Sequence, residues 1–184
     1  MSASPQDLMT AKLFFNAAFP TMQVLLDDDP KLHKKFQNFN ATVQFGAMND
    51  GELLCCHLIF QNGNLTVVQG PAEKSDISLT FSSVEKMNSL LKGGLSLPSI
   101  KGNLSLLPNV LSILMGLKIM TKPNDKLKND TEKLLKVKCS LYMITRALSQ
   151  YNKLGDPDMQ EFCRRQPDRI YQFQVEHDGQ PDYI

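Results

Sequence analysis

Apolar residues recur at helical spacing over the first forty positions, at alternate positions over the next forty, and at helical spacing again after that. Ser4-Pro5-Gln6-Asp7 has the form of a helix start, with Ser4 as cap and Pro5 at the first helical position, where a missing N–H costs nothing. This helix carries Leu8, Phe15 and Phe19. It is expected to stop near Pro20 and to yield to a second apolar turn holding Met22, Leu25 and Leu26. Asp29-Pro30 repeats the cap-and-proline signal, and Leu32, Phe36 and Phe39 fall at i, i+4 and i+7, which predicts a short helix with one aromatic face.

The period then shortens. Residues 41–81 hold four β-rich runs separated by Asn49-Asp50-Gly51, by Gln61-Asn62-Gly63-Asn64, and by Gly70-Pro71 with the charged stretch after it. Turns this short predict antiparallel neighbours. In the fourth run Ile77, Leu79 and Phe81 share one face and polar residues the other, so one face of the sheet is expected to be covered and one wet.

After Ser83 the spacing is helical again, with Val84, Met87, Leu90 and Leu91 on one stripe and a stop at Gly93-Gly94. Residues 100–106 can form a further strand. Pro108 then opens a helix containing Val110, Leu111, Ile113, Leu114, Met115, Leu117, Ile119 and Met120. Gly102 to Leu117 carries no charge, yet Lys101, Pro108, Lys118 and Pro123 interrupt the segment inside the about twenty continuous apolar residues that a membrane span needs. What remains is a helix apolar nearly all round, which must be covered on more than one side, by protein or by something greasy.

Residues 122–155 read as a long helix in which Leu134, Val137, Leu141, Ile144, Leu148 and Tyr151 are spaced 3, 4, 3, 4, 3, ended by Gly155. The stripe suits a partner helix, in this chain or in a homodimer formed through 127–154; packing back on its own domain is the blander alternative. Mixed charges from Lys122 to Lys138 describe a solvated face, with a lipid-headgroup patch as the alternative. Asp156-Pro157 opens a last short helix with Met159 and Phe162, closed before Pro167. The run from Ile170 to Gly179 reads as a strand and turn that echoes the first strand: Gln172-Phe173 repeats Gln44-Phe45, and Asp178-Gly179 repeats Asp50-Gly51. It is either an edge strand or the start of a second copy of the domain.

Charge changes the picture only by exclusion. Twenty basic and nineteen acidic side chains leave a net charge of +1 on 184 residues, so no global field favours nucleic acid. The N-terminus lacks a basic region followed by an uninterrupted apolar stretch, and a cytosolic location is expected. Cys55 and Cys56 adjoin on a strand and so face opposite sides; with Cys139 and Cys163 they are expected to be reduced packing residues, since no pair has zinc-ligand spacing and His57 diverges from its neighbours. There is no nucleophile elbow, phosphate loop, dinucleotide fingerprint or histidine pair at metal spacing. Asp27-Asp28-Asp29 most simply caps a helix. No enzyme activity, cofactor or metal is expected.

The order of helices, four-stranded meander, helix ending in glycine, strand with Lys-Gly-Asn and greasy helix resembles the sterol carrier protein type 2 family. The residues that carry the resemblance are the Asp50-Gly51 hairpin, the passage Gly70-Pro71 to Leu79, the helix running to Leu91-Lys92-Gly93, and Ile100-Lys101-Gly102-Asn103, over roughly residues 40–120. The resemblance implies an α+β fold, a twisted, mixed, mostly antiparallel five-stranded sheet with helices over one face, as a domain at 1–120; the residue pattern adds a helical extension at 121–184 that ends in a strand. It also implies an apolar cavity that accepts a lipid-like molecule. Its candidate walls are Met87, Leu90, Leu91, Leu97, Ile100, Leu106, Val110, Leu111, Leu114 and Met115, and ordinary core is the competing reading of the same stripe. Two features depart from the family pattern: only Gly94 to Ser99 fills the segment before the Lys-Gly strand, which alters the cavity mouth, and residues 121–184 lie beyond the domain.

The function expected is a non-catalytic carrier of a fatty acid, acyl-CoA, or sterol- or isoprenoid-like ligand, with transient contact to a membrane surface. The alternative is a structural, regulatory or accessory domain with a filled cavity that acts through dimerisation or partner docking.

Overall fold

The computed structural model describes residues 2–166, 169–177 and 180–183. The Asp178-Gly179 repeat of the first turn, Pro167 and Ile184 lie outside the described residues. The first helix, α1 (Pro5–Leu13), begins where the cap signal places it: the Ser4 hydroxyl accepts the Asp7 N–H. It does not stop near Pro20. Residues Phe14–Ala18 form a π turn in which the Phe19 N–H bonds the Phe14 carbonyl, and the chain continues helically as α2 (Phe19–Asp28). A proline inside a regular α-helix crowds the carbonyl four residues back; the wider turn just before it relieves that clash, so the rod carries on through the proline. Asp29 then caps α3 (Pro30–Phe36) through its Oδ1.

The strands are β1 (Asn40–Asn49), β2 (Glu52–Gln61), β3 (Asn64–Gln69), β4 (Ile77–Phe81) and β5 (Ser99–Gly102), in the order β3-β2-β1-β4-β5. Asp50-Gly51 and Asn62-Gly63 both have positive φ, as the tight hairpins β1–β2 and β2–β3 require. The expectation of antiparallel neighbours fails at β4, which lies parallel to β1, while β5 pairs antiparallel with β4. Residues 70–76 make the crossing. His57 Nδ1 donates to the Gly70 carbonyl, the Ala72 N–H donates to Gln44 Oε1, and Asp76 brackets Thr42 by both backbone and carboxylate. These contacts fix the register of β4, which two strands separate from β3.

Val43, Phe45 and Ala47, Cys56, Leu58 and Phe60, and Ile77, Leu79 and Phe81 form the inner face, and all are buried. Helices cover it. Phe19 meets Phe45 edge-on at 5.2 Å, Phe45 meets Phe81 at 5.5 Å, and Phe36 and Phe39 close on Phe60. The opposite face, with Thr42, Gln44, His57, Ile59 and Val68, is half-exposed, so the expectation of one covered and one wet face describes this sheet.

The helix α4 (Val84–Leu91) packs on α1, β1 and β4. The strand expected over 100–106 ends at Gly102; Asn103 then caps a 3-10 turn at Leu104–Leu106 that leads into α5 (Leu107–Gly116), followed by another at Leu117–Thr121. The α5 helix packs on α2 and α3. Beyond it, α6 (Asp130–Lys153) lies against α2 and the π turn, and α7 (Pro157–Arg165) packs on α6. The long helix therefore does return to its own domain, but through Leu135, Cys139 and Tyr142 rather than through the regular stripe. The C-terminal strand β6 (Gln174–His177) pairs with β7 (Gln180–Tyr183) in a separate two-stranded sheet instead of adding to the edge of the larger one.

Candidate functional site

Beneath α4 the sequence stripe divides in two. Val84 and Met87 are buried, while Leu90 and Leu91, one turn on, are half-buried at the margin of the core. Glu85, Lys86 and Ser89 face outward. The helix ends where expected: Gly93 takes φ +93°, and the Gly94 N–H returns to the Ser89 carbonyl at 2.8 Å. The short segment to β5 then leaves two leucines without cover, Leu95 at 102% and Leu97 at 93% exposure. Together Glu85, Lys86, Ser89, Leu90, Leu95, Ser96 and Leu97 line a groove of about 750 Å³. Its surface is apolar along the leucines and bordered by one carboxylate, one ammonium and two hydroxyls.

A second cleft, of about 470 Å³, opens between α2, the C-terminal end of α5 and the start of α6. Leu25, Met115, Ile119 and Leu135 supply its apolar part, and Asp29, Lys118, Lys122 and Glu132 its polar part. Lys122 pairs with Glu132 at 2.5 Å, and the Lys128 N–H donates to the same carboxylate. The hydrogen bond from Lys122, then that from Lys128, holds the Glu132 carboxyl below its usual range.

The ten candidate wall residues fall into three groups. Met87 and Val110 lie in the core; Leu90, Leu91, Ile100, Leu106 and Leu114 are half-buried against it; Leu97, Leu111 and Met115 are exposed. Leu90 and Leu97 come together in the α4 groove, whereas Met115 lines the second cleft. Met87 and Val110 belong to the same buried cluster as Phe15, Phe19, Phe45 and Phe81. Leu95, Lys86 and Ser89 were not among the sequence candidates. A Leu-Ser-Leu run directly after a double glycine was the available signal, since so short a segment cannot fold both side chains inward.

The described residues contain no group of three or more His, Cys, Asp or Glu able to hold a metal ion. Cys55, Cys56 and Cys139 are buried and free, and Cys163 is half-buried and free. Cys55 and Cys56 do face opposite sides of β2: Cys56 enters the core, and Cys55 rests on Gly46, where a Cβ would come within 2.4 Å of its own. Burial pushes both thiols up. Cys139 is pushed up to about 12, by burial and then by the Asp28 carboxylate. Raised thiols are protonated and poor nucleophiles at neutral pH.

No family model matches the chain, and no curated protein matches it. Among solved structures it is similar to the sterol carrier protein domain 2 of Helicoverpa armigera, with 19% identity over 64% of this chain and 94% of that one, at a TM-score of 0.41. It is also similar to the UbiJ-SCP2 ubiquinone synthesis protein, with 13% identity over 61% of this chain and 97% of that one, at a TM-score of 0.40. The chain is an α+β protein that resembles sterol carrier protein type 2 domains.

Proposed function

We propose that the protein is a non-catalytic carrier that holds a lipid-like molecule with a single apolar chain in the groove between α4 and Leu95–Leu97. The observation that carries this reading is the pair Leu95 and Leu97, almost fully exposed beside half-buried Leu90 and open to a groove of about 750 Å³. Leucine left in water gains from any apolar cover, at about 25 cal/mol for each square ångström removed from solvent, so covering about 200 Å² is worth roughly 5 kcal/mol before the cost of association. Lys86 and the hydroxyls of Ser89 and Ser96 on the rim, with the Glu85 carboxylate beside them, suit a polar head group. A fatty acid, an acyl-CoA or an isoprenoid-like molecule meets both requirements, and an open groove presents such a ligand to a partner as readily as it stores it.

Native mass spectrometry of protein purified without detergent, with organic extraction of the bound species, tests the proposal directly. A stoichiometric lipid is expected. Titration with a fluorescent fatty acid should show at least about tenfold weaker binding for Leu95→Ser/Leu97→Ser, a pair of exposed positions whose replacement leaves stability within about 0.5 kcal/mol. A bare chain that also rejects added fatty acid would overturn it.

A second reading, in which the domain acts through self-association, is favoured by one specific feature. On α6 the residues Val137, Ile144 and Leu148 are 41–46% exposed, while Leu135 and Cys139 face the core. Leu134, Leu141 and Tyr151 complete an apolar seam at coiled-coil spacing on the outer side. Sedimentation of the wild type against Ile144→Lys decides it: a concentration-dependent dimer lost in the variant supports the seam as an interface.

A further inference from the structure

Surface helices usually turn charge outward and leucine inward. The helix α5 and the turns that flank it do the reverse: their exposed positions include Leu104, Leu111 and Met115, with Lys118 the one charge among them. Leu104 is 60% exposed, Leu111 46% and Met115 54%. The inner side is committed to the protein. Val110 and Ile113 are buried, and Gly116 sits so close to α2 and α3 that an added Cβ would meet Leu25 Cδ1 at 2.9 Å and Leu32 Cδ1 at 3.1 Å. By length and composition Leu104–Thr121 is apolar enough to cross a membrane. Fixed to the body along one side and bent into 3-10 turns at both ends, it lies along a surface instead.

The stretch of chain that holds it carries charge of one sign. From Lys86 to Asn124 the chain carries Lys86, Lys92, Lys101, Lys118 and Lys122 and no acid, although nineteen acids are spread over the whole sequence. The neighbouring α3 adds exposed Lys31, Lys34 and Lys35, and the Lys35 ammonium reaches α5 to donate to the Pro108 carbonyl and to Ser112 Oγ. Acids stand at the ends of this run: Asp29 and Glu132 lie in the cleft at the far end of α5, where Lys122 holds Glu132, and Glu85 and Asp125 flank the run in sequence.

We propose that this face docks on an anionic membrane surface, with Leu104, Leu111 and Met115 entering the interfacial region and the lysines of α3 and of the α5 flanks at the level of the phosphates. Apolar insertion and attraction to acidic lipid are each weak alone and together give reversible attachment. The proposal goes beyond the carrier reading and needs no bound ligand.

The test is flotation of the full chain with vesicles of phosphatidylcholine alone and of phosphatidylcholine in which a third of the lipid is phosphatidylserine. The wild type is expected to float with the acidic vesicles, several-fold less with neutral ones, and less as salt is raised. Leu104→Ser/Leu111→Ser/Met115→Ser should reduce binding at least about tenfold. Should that variant melt early, Lys34→Glu/Lys118→Glu, at exposed positions, serves instead; it should lose acidic-vesicle binding several-fold yet take up fatty acid in vesicle-free solution as the wild type does. Absence of flotation, equal flotation with neutral lipid, variants that float like wild type, or an apolar variant that instead converts a dimer to a monomer would each overturn the proposal.

Discussion

Gly102 closes β5 at φ +100°, and a Cβ there would lie 2.3 Å from the Asp76 carbonyl oxygen. That carbonyl accepts the Asn103 N–H at 2.7 Å while the Asp76 carboxylate holds Thr42, so it has little room to retreat. Gly102→Ala is expected to lower stability by about 1–3 kcal/mol, read as a shift in the urea midpoint at unchanged slope; an unshifted midpoint would refute the account. Lys101-Gly102-Asn103 was legible in the sequence only as part of a resemblance, and the structure supplies the reason for its glycine. Two titrating groups give signs that can be checked. The Asp7 carboxyl accepts from the Ser4 hydroxyl and the Asn88 amide, and both bonds hold it below its ordinary value of 3.8. A lowered carboxyl binds fewer protons in the folded state than in the unfolded one, so its contribution is present above that value and fades as pH falls further. Cys139 behaves oppositely. Its folded value of about 12 exceeds the ordinary 9.0, so its contribution is complete below pH 9.0 and is lost as pH climbs from 9.0 towards 12. Cys139→Ser should flatten that alkaline loss in a denaturation series, while maleimide labelling of the native wild type reaches half-buried Cys163 first.

At the scale of elements, α6 gives the sharpest contrast between neighbouring residues. Leu135 is 6% exposed and Val137 is 41% exposed on the same turn and a half of helix. Leu135→Ala should cost about 2–4 kcal/mol in chemical denaturation and Val137→Ala less than about 1; equal losses would mean that the regular stripe, not Leu135, meets the core. The stripe at 3-4 spacing was plain in the sequence, but periodicity states only that a helix has an apolar side. It does not say which of two adjacent sides the domain takes, and Leu135, Cys139 and Tyr142 form the less regular one. The same limit explains the other elements. Both type I′ hairpins were legible because Asp50-Gly51 and Asn62-Gly63 encode positive φ locally. The parallel pairing of β4 with β1 was not, because it depends on Asp76 meeting Thr42 across thirty-four residues of chain. Pro20 reads as a stop in any local scheme, and the π turn that carries the helix past it has no sequence mark of its own. Of the groove's leucines, Leu90 and Leu97 were among the walls that the resemblance implied, whereas the exposure of Leu95 depends on how the double glycine turns the chain.

For the whole molecule the question is whether residues 1–120 fold without the extension. The core answers in part, because Leu135 and Cys139 belong to the same buried cluster as Phe15, Phe19 and Met22, and Lys138 pairs with Asp28 at 3.2 Å. Removing α6 would uncover the π turn and one side of α2, aromatic and aliphatic surface that the sheet side cannot cover. We expect a chain ending at Thr121 to be expanded or aggregated, with poorly dispersed amide resonances and no cooperative melt. The helix α7 is different: none of its residues is buried, so a chain ending at Gly155 should keep the fold and its melting temperature within a few degrees. The two truncations together locate the boundary of the cooperative unit. If the chain ending at Thr121 melts cooperatively, α6 is an appendage whose outer seam is free to engage a partner. If only the chain ending at Gly155 does so, α6 is part of the domain, and any association through its seam must form on a helix already held by the core.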